Sequence, residues 1–354
     1  PQIQNPNQLR PGQLLRIPKV SWGEIVVNGY AYPSVRAQTL ASALPHLTFL
    51  SVFSALVQAD GSLIPMEDDA AVIAQAKAAG TQPHLVVANL EENGGFQSAT
   101  AAALLGSPQA QEALLRAAAG MMREKGYTGL DLDLEYVPAA SREGYNCFLA
   151  KARAWMHDED FVLKAAVAPK AADHQPGLLF EGFDYAAQGK YNDYVTLMTY
   201  EWGYQSGPPM AVAPVGEVRK VLDYAVRRIP PKKISLGIPN YGYDWTLPFA
   251  QGSRARVVQN PAAVELAAQR RADINYDETA QTPWFNYTDD GGKAHVVWFE
   301  DARSIFRKLE LVREYGLGGV SYWTVNYPFP QNWRLLEEYF RVSKLGGQEA
   351  ARGR

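Results

Sequence analysis

Eight short apolar runs recur along the chain, and helical patterns separate most of them. The runs are Ile25–Tyr32, Leu47–Val57, His84–Leu90, Gly129–Tyr136, Phe161–Ala168, Tyr194–Tyr200, Lys233–Pro239 and Gly318–Trp323. The helical patterns are Asp68–Ala79, Pro108–Lys125, Ser141–Trp155, Val215–Arg228, Asp301–Tyr315 and Gln331–Lys344. Apolar strands that alternate with helices indicate a mostly parallel sheet covered on both faces. Eight of them predict an α/β fold, a (β/α)8 TIM barrel.

One interval between apolar runs, from Pro239 to Gly318, is too long for a single helix with two short loops. It contains a helical pattern at Pro261–Arg271 and two aromatic strand patterns, which a turn at Asp289–Gly292 joins as a hairpin. We therefore predict a small α+β insertion at about 242–300, between strands 7 and 8. We predict that the chain has three parts: a leading segment at 1–18, a catalytic barrel with its insertion at 19–344, and a tail at 345–354.

The fourth apolar run carries acidic residues at alternate positions, Asp131, Asp133 and Glu135. Side chains two apart on a strand share a face, so these carboxylates are predicted to form a row with roughly 7 Å between successive members. Carboxylates that point into a covered sheet are costly unless they are used or paired. Three interpretations follow: a solvated acidic face, a site for a hard cation, or acid–base chemistry in which crowded charges keep one carboxyl protonated.

Polar and aromatic residues also gather where the other predicted strands end. They are Tyr30 after strand 1, Met198, Tyr200, Glu201 and Trp202 after strand 6, Tyr241 after strand 7 and Trp323 after strand 8. Barrel active sites lie at the C-terminal ends of the strands. Any one of these aromatic residues is more often a packing residue, but their gathering at one rim predicts a binding cleft.

Composition narrows the function classes. The net charge of −3 has no basic or acidic block, which gives no support for nucleic-acid binding. No apolar run reaches about 18 residues, so no membrane span is predicted. The five histidines are scattered without metal-ligand spacing, and we expect neither a metal nor another cofactor. Cys147 is the single cysteine, which excludes an intramolecular disulfide, and we expect it to be a buried small hydrophobe. The chain begins with Pro1 and has no apolar signal core, so we expect a processed or trimmed product.

The stretch Gly129–Tyr136 resembles the catalytic strand of family 18 glycoside hydrolases, the chitinase family, whose pattern is Asp-Gly-x-Asp-x-Asp-x-Glu. Thr128 stands where the first and outermost Asp is usual. Met198-x-Tyr200 resembles the family's sixth-strand Met-x-Tyr, and Trp323 resembles the tryptophan that floors its sugar subsite. The resemblance extends over about 21–343, and family 18 barrels often carry an insertion before strand 8 that walls the cleft.

One branch of the family is most similar, the spore germination hydrolases that act on spore cortex peptidoglycan. The segments that carry this similarity are 197–214, 237–248 and 297–303. Residues 1–18 resemble the closing half of a LysM module, which binds GlcNAc-containing glycans. Without the opening half this segment is a linker, but it predicts wall-binding repeats upstream.

The resemblance implies a retaining, substrate-assisted glycosidase without a metal. Glu135 would protonate the glycosidic oxygen, and the 2-acetamido carbonyl of the substrate would attack the anomeric carbon. Asp133 would stabilise the oxazolinium intermediate, Asp131 would share a proton with Asp133, and Tyr200 would donate to the acetamido oxygen. The substrate contacts that we expect are Trp323, Met198, Glu201, Tyr30, Asn93, Tyr241 and Trp202.

The implied substrate is an N-acetylated polysaccharide, and we favour an N-acetylglucosaminidase that cleaves β-1,4 bonds in spore cortex. The implied location is the spore coat or cortex, or the extracellular wall, and a monomer is the default. Glu201 stands where Asp or Asn is usual, and Glu92-Asn93-Gly94-Gly95 replaces Ser-x-Gly-Gly, which disfavours crystalline chitin. The alternatives are a chitinase, an endo-β-N-acetylglucosaminidase, a metal-dependent hydrolase and a non-catalytic sugar-binding barrel, which would usually lack Glu135.

Overall fold

The computed structural model describes residues 21–91 and 94–344. The strands, in chain order, are β1 (Glu24–Ala31), β2 (Phe49–Val57), β3 (Leu63–Pro65), β4 (Gln82–Ala88), β5 (Gly129–Asp133), β6 (Val162–Val167), β7 (Tyr194–Leu197), β8 (Ile234–Pro239), β9 (Gly242–Leu247), β10 (Arg256–Val258), β11 (Asn275–Asp277), β12 (Thr282–Thr288), β13 (Ala294–Trp298), β14 (Gly319–Trp323) and β15 (Arg341–Val342). The helices are α1 (Ala37–Ala43), α2 (Ala70–Ala78), α3 (Ser98–Gly106), α4 (Pro108–Lys125), α5 (Arg142–Asp158), α6 (Tyr185–Tyr191), α7 (Val215–Ala225), α8 (Asn260–Arg270), α9 (Ala302–Glu314) and α10 (Pro330–Tyr339). Single 3₁₀ turns lie at Leu44–His46, Ala139–Ser141 and Pro231–Lys233.

Eight parallel strands close into a barrel in the order β1, β2, β4, β5, β6, β7, β8 and β14, and β14 pairs with β1 to complete the ring. Each barrel strand overlaps one of the eight apolar runs, so the predicted (β/α)8 TIM barrel is confirmed. The main hydrophobic core lies between the strands and the surrounding helices. Leu130, Leu132 and Leu134 are fully buried in it, which leaves the acidic residues between them on the inner face of the barrel.

The interior of the barrel is polar at the level of Asp131. Asn28 on β1 donates to Ser321 Oγ on β14 at 2.9 Å, and Ser51 Oγ on β2 lies 2.9 Å from Asn28 Oδ1. Lys164 on β6 is the register neighbour of Asp131 on β5. Bulky branched side chains usually fill a barrel of this kind, so a hydrogen-bonded network of buried polar residues at its centre requires an explanation.

The predicted insertion between the seventh and eighth barrel strands forms its own sheet. Its five strands pair antiparallel in the order β10, β9, β13, β12 and β11, and α8 packs on them. Asp289 closes the β12–β13 hairpin, since its Oδ1 accepts hydrogen bonds from the backbone N–H groups of Gly291 and Lys293. Gly292 has φ +79°, a conformation that glycine adopts readily. The α+β insertion is therefore confirmed, and it begins directly after β8.

Two sequence-based expectations were wrong. The last helix ends at Tyr339 rather than Lys344, because Phe340 is buried in extended conformation and β15 pairs parallel with the start of β1. Cys147 is exposed on α5 and not buried. The predicted LysM-like segment 1–18 and the tail 345–354 lie outside the described residues. Over 21–91 and 94–344, the structure has no helix of the length and apolarity that crossing a membrane requires.

Helix α9 begins at a capping box. Asp301 Oδ1 accepts from the N–H groups of Arg303 and Ser304, and Ser304 Oγ accepts from the N–H of Asp301. We expect Asp301→Ala to lower the free energy of unfolding by about 1 kcal/mol, because the first turn loses its acceptor. Urea denaturation measures this change. Asp273→Ala, at an exposed position, is the control, and an equal loss in both variants would contradict the capping role.

Candidate active site

The acidic row leads from the inside of the barrel to its rim. Paired strand β5 ends at Asp133, two residues before Glu135. Asn89, directly after β4, fixes the next part of the chain, because its side chain accepts from the Glu135 N–H and donates to the Glu135 carbonyl, both at 2.9 Å. Tyr136 then turns the chain with φ +52°. The sequence analysis missed Asn89, although its place at a strand end marks it as a rim residue.

Burial increases from the rim inward along the row. Glu135 is half-buried at the cleft, Asp133 is 5% exposed and Asp131 is completely buried. Burial, followed by the charges of Glu135 and Asp131, raises the pKa of Asp133 well above its usual value. Burial, followed by the Glu201 carboxylate, raises the pKa of Glu135 to about 7. A carboxyl with a pKa near 7 is suited to general acid–base catalysis at neutral pH.

The innermost carboxylate already has a cationic partner. Asp131 Oδ2 accepts from Ser51 Oγ at 2.6 Å and lies 3.1 Å from the ammonium nitrogen of Lys164. Oδ1 of Asp131 and Oδ1 of Asp133 have no hydrogen-bond partner among the described residues. The metal-site interpretation requires a positive charge beside the acidic row. The ammonium of Lys164 supplies a positive charge there. Over the described ranges, no group of three or more His, Cys, Asp or Glu residues has metal-binding geometry.

Tyr200 and Glu201, which follow β7, bring a phenol and a further carboxyl to the cleft. The Tyr200 phenol is half-buried, and its burial, followed by the charges of Asp133 and Glu135, raises its pKa well above the usual value, so it is a donor rather than an anion. Glu201 has φ +68°. Its Oε1 accepts hydrogen bonds from the Tyr241 hydroxyl and, at 2.9 Å, from the Tyr243 hydroxyl. These phenols hold the Glu201 carboxylate in place, and its charge acts on Glu135.

The floor of the cleft is the indole of Trp323 at the end of β14. Its ring centroid lies 5.6 Å from that of Tyr30, 5.9 Å from Tyr32 and 5.6 Å from Phe53, and two of these contacts are edge-on. The sequence analysis assigned no role to Asn240. Its side-chain amide donates to the carbonyls of Thr324 and Tyr327 at 2.8 and 2.7 Å. Aromatic rings therefore pack against the Trp323 indole, and the hydrogen bonds of Asn240 hold the backbone that follows it. A flat apolar platform of this kind suits the face of a sugar ring.

The cleft has a volume of about 680 Å3, within the usual range of ligand pockets. Among the predicted site residues, those that line it are Glu135, Asp133, Tyr200, Trp323, Met198, Glu201, Tyr30 and Tyr241. Asp131 lies below them. Trp202 does not line the cleft but packs on the main core, so the expectation of a direct substrate contact is not supported. Asn93 lies outside the described residues. Lining residues that the sequence analysis did not select include Tyr32, Phe53, Phe96, Tyr243, Asn326 and Tyr327.

Comparisons with known proteins agree with this geometry. The family model described as glycosyl hydrolases family 18 matches residues 47–327. The cortical fragment-lytic enzyme of Bacillus subtilis (strain 168) is 42% identical over 309 residues, which are 87% of this chain and 71% of that protein. The protein of the same name from Bacillus anthracis is 41% identical over 303 residues, 85% of this chain and 70% of that protein. The crystal structure of the Bacillus cereus spore cortex-lytic enzyme SleL has a TM-score of 0.89 and 40% identity, and the match covers 95% of this chain and 79% of that chain.

Proposed function

The chain belongs to family 18 of the glycosyl hydrolases, and from that premise we propose that it cleaves the glycan strands of spore cortex peptidoglycan as an N-acetylglucosaminidase. The observation that carries the proposal is the half-buried Glu135, whose pKa is raised to about 7 directly above a buried aspartate. The similarity to relatives named for lysis of cortex or cortical fragments supports the substrate class.

The reaction that we propose uses the substrate as its own nucleophile, as this family is known to do. Glu135 donates its proton to the glycosidic oxygen while the 2-acetamido carbonyl oxygen attacks the anomeric carbon. The bond to the leaving sugar breaks, and an oxazolinium ion forms. Glu135, now a carboxylate, removes a proton from the incoming water, which opens the ring with retention of configuration.

The residues around Glu135 stabilise this ion. Asp133, one step inward on the same face, accepts a hydrogen bond from the acetamido N–H and offsets its growing positive charge. Tyr200, kept protonated by its raised pKa, donates to the acetamido oxygen. The sequence-based hypothesis places a shared proton between Asp131 and Asp133, and the unpartnered Oδ1 atoms of both residues are consistent with it.

The aromatic cleft favours a sugar chain in an extended groove. Trp323 forms the floor of the subsite for the N-acetylated sugar, and Tyr30, Met198, Glu201 and Tyr241 form its walls. The chemistry requires an N-acetyl group at the sugar that is attacked, which GlcNAc and N-acetylmuramic acid both carry. We favour cleavage after GlcNAc, by a monomer that acts at the cortex, the coat or the outer wall of the spore.

Product analysis by mass spectrometry tests the proposal. The protein is incubated with purified spore cortex and, in parallel, with chitooligosaccharides. New GlcNAc reducing ends from cortex with little chitin cleavage support it. Chitin cleavage alone would agree with the mechanism but would favour a chitinase or an endo-β-N-acetylglucosaminidase over a cortex hydrolase. Binding of both glycans without any product would support a sugar-binding barrel instead.

The raised pKa of Glu135 predicts a pH limit. Because Glu135 must be protonated to act as the acid, we expect kcat/KM to fall as the pH rises through about 7. Glu201→Gln removes the neighbouring negative charge and therefore lowers the pKa of Glu135, which moves this falling limb to lower pH. A pH–rate profile of both proteins measures the shift. Glu265→Gln, exposed on α8, is the control, and an unmoved limb in Glu201→Gln would contradict the coupling.

A further inference from the structure

Lys164 is a buried cation that the reaction as described does not use. It lies in the middle of β6 with 1% of its surface exposed. Its ammonium nitrogen lies 2.8 Å from Asn28 Oδ1, 2.8 Å from Ser51 Oγ and 3.1 Å from Asp131 Oδ2. A protonated lysine has three N–H donors, and the structure gives it one acceptor for each. Burial lowers the pKa of Lys164, whereas the charge of Asp131 and its hydrogen bond favour the protonated form. The three acceptors suit an ammonium ion.

Three other barrel strands contribute to holding this charge at the base of the acidic row. Asn28 comes from β1, Ser51 from β2 and Asp131 from β5, and the face of the Phe49 ring lies 5.1 Å from the ammonium. An isolated buried ammonium would be strongly unfavourable. The network therefore stabilises a positive charge at one fixed place, directly below the carboxylates that line the cleft.

The titratable groups that face Lys164 and Asp131 come from all the packed elements. They are Tyr30 on β1, His84 on β4, Asp133 and Glu135 on the β5 segment, Tyr145 on α5, Tyr194 on β7 and Tyr200 after β7. Burial and the Lys164 charge keep the pKa of His84 well below its usual value, and burial raises the pKa of each tyrosine. At neutral pH these five are uncharged, so Lys164 is the single cation that faces three carboxyls within this described cluster.

We propose that Lys164 is a positioning residue for the reaction, whose ammonium supplies the countercharge that allows Asp131 and Asp133 to be ionised together when the acetamido group becomes positive. Two adjacent buried carboxylates otherwise share one proton, because like charges at close range cannot both ionise. With Lys164 paired to Asp131, the proton of the resting pair lies on Asp133. Its release to solvent leaves Asp133 ionised and able to stabilise the oxazolinium ion. This inference rests on the proposed function.

The proposal has a consequence for the acidic limit of activity. Asp133 must be ionised to act, so kcat rises with pH as the pair loses its last proton. Removal of the ammonium raises the pKa of the Asp131–Asp133 pair. The rising, acidic limb of the pH profile of kcat then moves to higher pH. An opposite charge at this range typically changes a carboxyl pKa by one unit or more. We expect Lys164→Met to move the acidic limb of kcat upward by about one pH unit.

The chain offers a matched control in a second buried lysine. Lys308 on α9 is also 1% exposed and pairs with the buried Glu300 at 2.7 Å, outside the cleft lining. Lys308→Met removes the same charge from a similar environment, so it should cost stability without moving the acidic limb. Melting temperatures show the structural cost of both variants, and the pH–rate profile separates it from the electrostatic effect.

Two further variants complete the test. Asp131→Asn leaves the ammonium without its anion, so Asp133 ionises more readily and the limb moves to lower pH. The double variant Lys164→Met/Asp131→Asn removes both charges, and its limb returns to that of the wild type. An unmoved limb in Lys164→Met, or an equal shift in Lys308→Met, would overturn the proposal. If Lys164→Met does not fold, Lys164→Gln, which keeps a polar side chain among Asn28, Ser51 and Asp131, takes its place in the same comparison.

Failure of the proposed function has a different signature. It would appear as a wild-type protein that releases no product from any N-acetylated glycan. The infrared C=O band of protonated carboxyls then serves as the readout without substrate. The component of this band that Asp133→Asn abolishes should titrate at higher pH in Lys164→Met and at an unchanged pH in Lys308→Met, whose effect falls on Glu300. An identical titration of that component in the wild type and Lys164→Met would overturn the inference.

Discussion

Glu135→Gln lowers kcat on cortex glycan by a factor of about 10³ or more. General acid–base groups contribute roughly 10²- to 10⁴-fold, and Glu135 serves twice, first as the acid and then as the base. The glutamine amide keeps the size and the hydrogen-bond geometry of the side chain but has no acidic proton. The Asn89 bonds to the Glu135 backbone are unaffected, so the position of residue 135 is retained.

Glu135→Gln should therefore lose turnover while it retains substrate binding. Quenching of tryptophan fluorescence by a cortex glycan fragment, with Trp323 on the cleft floor, measures affinity in the inactive protein. We expect its Kd to remain within a few-fold of the wild-type value. Glu124→Gln, an exposed residue on the outer helix α4, should retain full turnover. Near wild-type kcat in Glu135→Gln would remove Glu135 from the reaction.

De-N-acetylated glycan is not cleaved at a measurable rate. The attacking oxygen belongs to the acetamido group of the substrate, so its removal deletes the nucleophile while the glycosidic bond and the acid remain. Asp133→Ala acts on the same step from the side of the protein, since it removes the acceptor for the acetamido N–H. Loss of one preorganised electrostatic partner of a transition state costs about 10²- to 10³-fold in rate.

A matched set of substrates makes the test specific. One glycan sample is de-N-acetylated, and half of that sample is then chemically re-acetylated, so both halves share their chain length and handling. Reducing-end release by the wild type should return with re-acetylation. Turnover of the de-N-acetylated half, or full activity of Asp133→Ala on the native substrate, would eliminate the substrate-assisted mechanism.

The fold was predictable because the strands of a covered parallel sheet consist of continuous apolar residues. The helices that escaped prediction show the limit of the same signal. Helices α1 and α6 have seven residues each, which is about two turns and too short for a periodic pattern. Helix α3 is rich in alanine and lacks a polar face. The end of α10 was misplaced because pairing of β15 with β1 overrides local helix propensity.

The site was predictable where chemistry imposes a spacing along one strand, as it does for Asp133 and Glu135. It was not predictable where the partners come from separate elements. Asn89, Tyr243 and Lys164 reach the site from three different places in the chain. One signal was nevertheless available, since Lys164 interrupts an apolar run, and a lysine in a buried strand requires an anion nearby.

The division of the cleft between two sheets has a consequence for protein engineering. The proposed acid and its supporting aspartates come from the barrel, whereas Tyr243 on β9 and Val257 on β10 come from the insertion. Chimeras that exchange this insertion among related hydrolases would therefore alter groove width and glycan preference while retaining the catalytic chemistry. Compatibility depends on one junction, because the barrel residue Glu201 is held by Tyr241 and Tyr243, and a donor insertion without these hydroxyls would leave that carboxylate free to move.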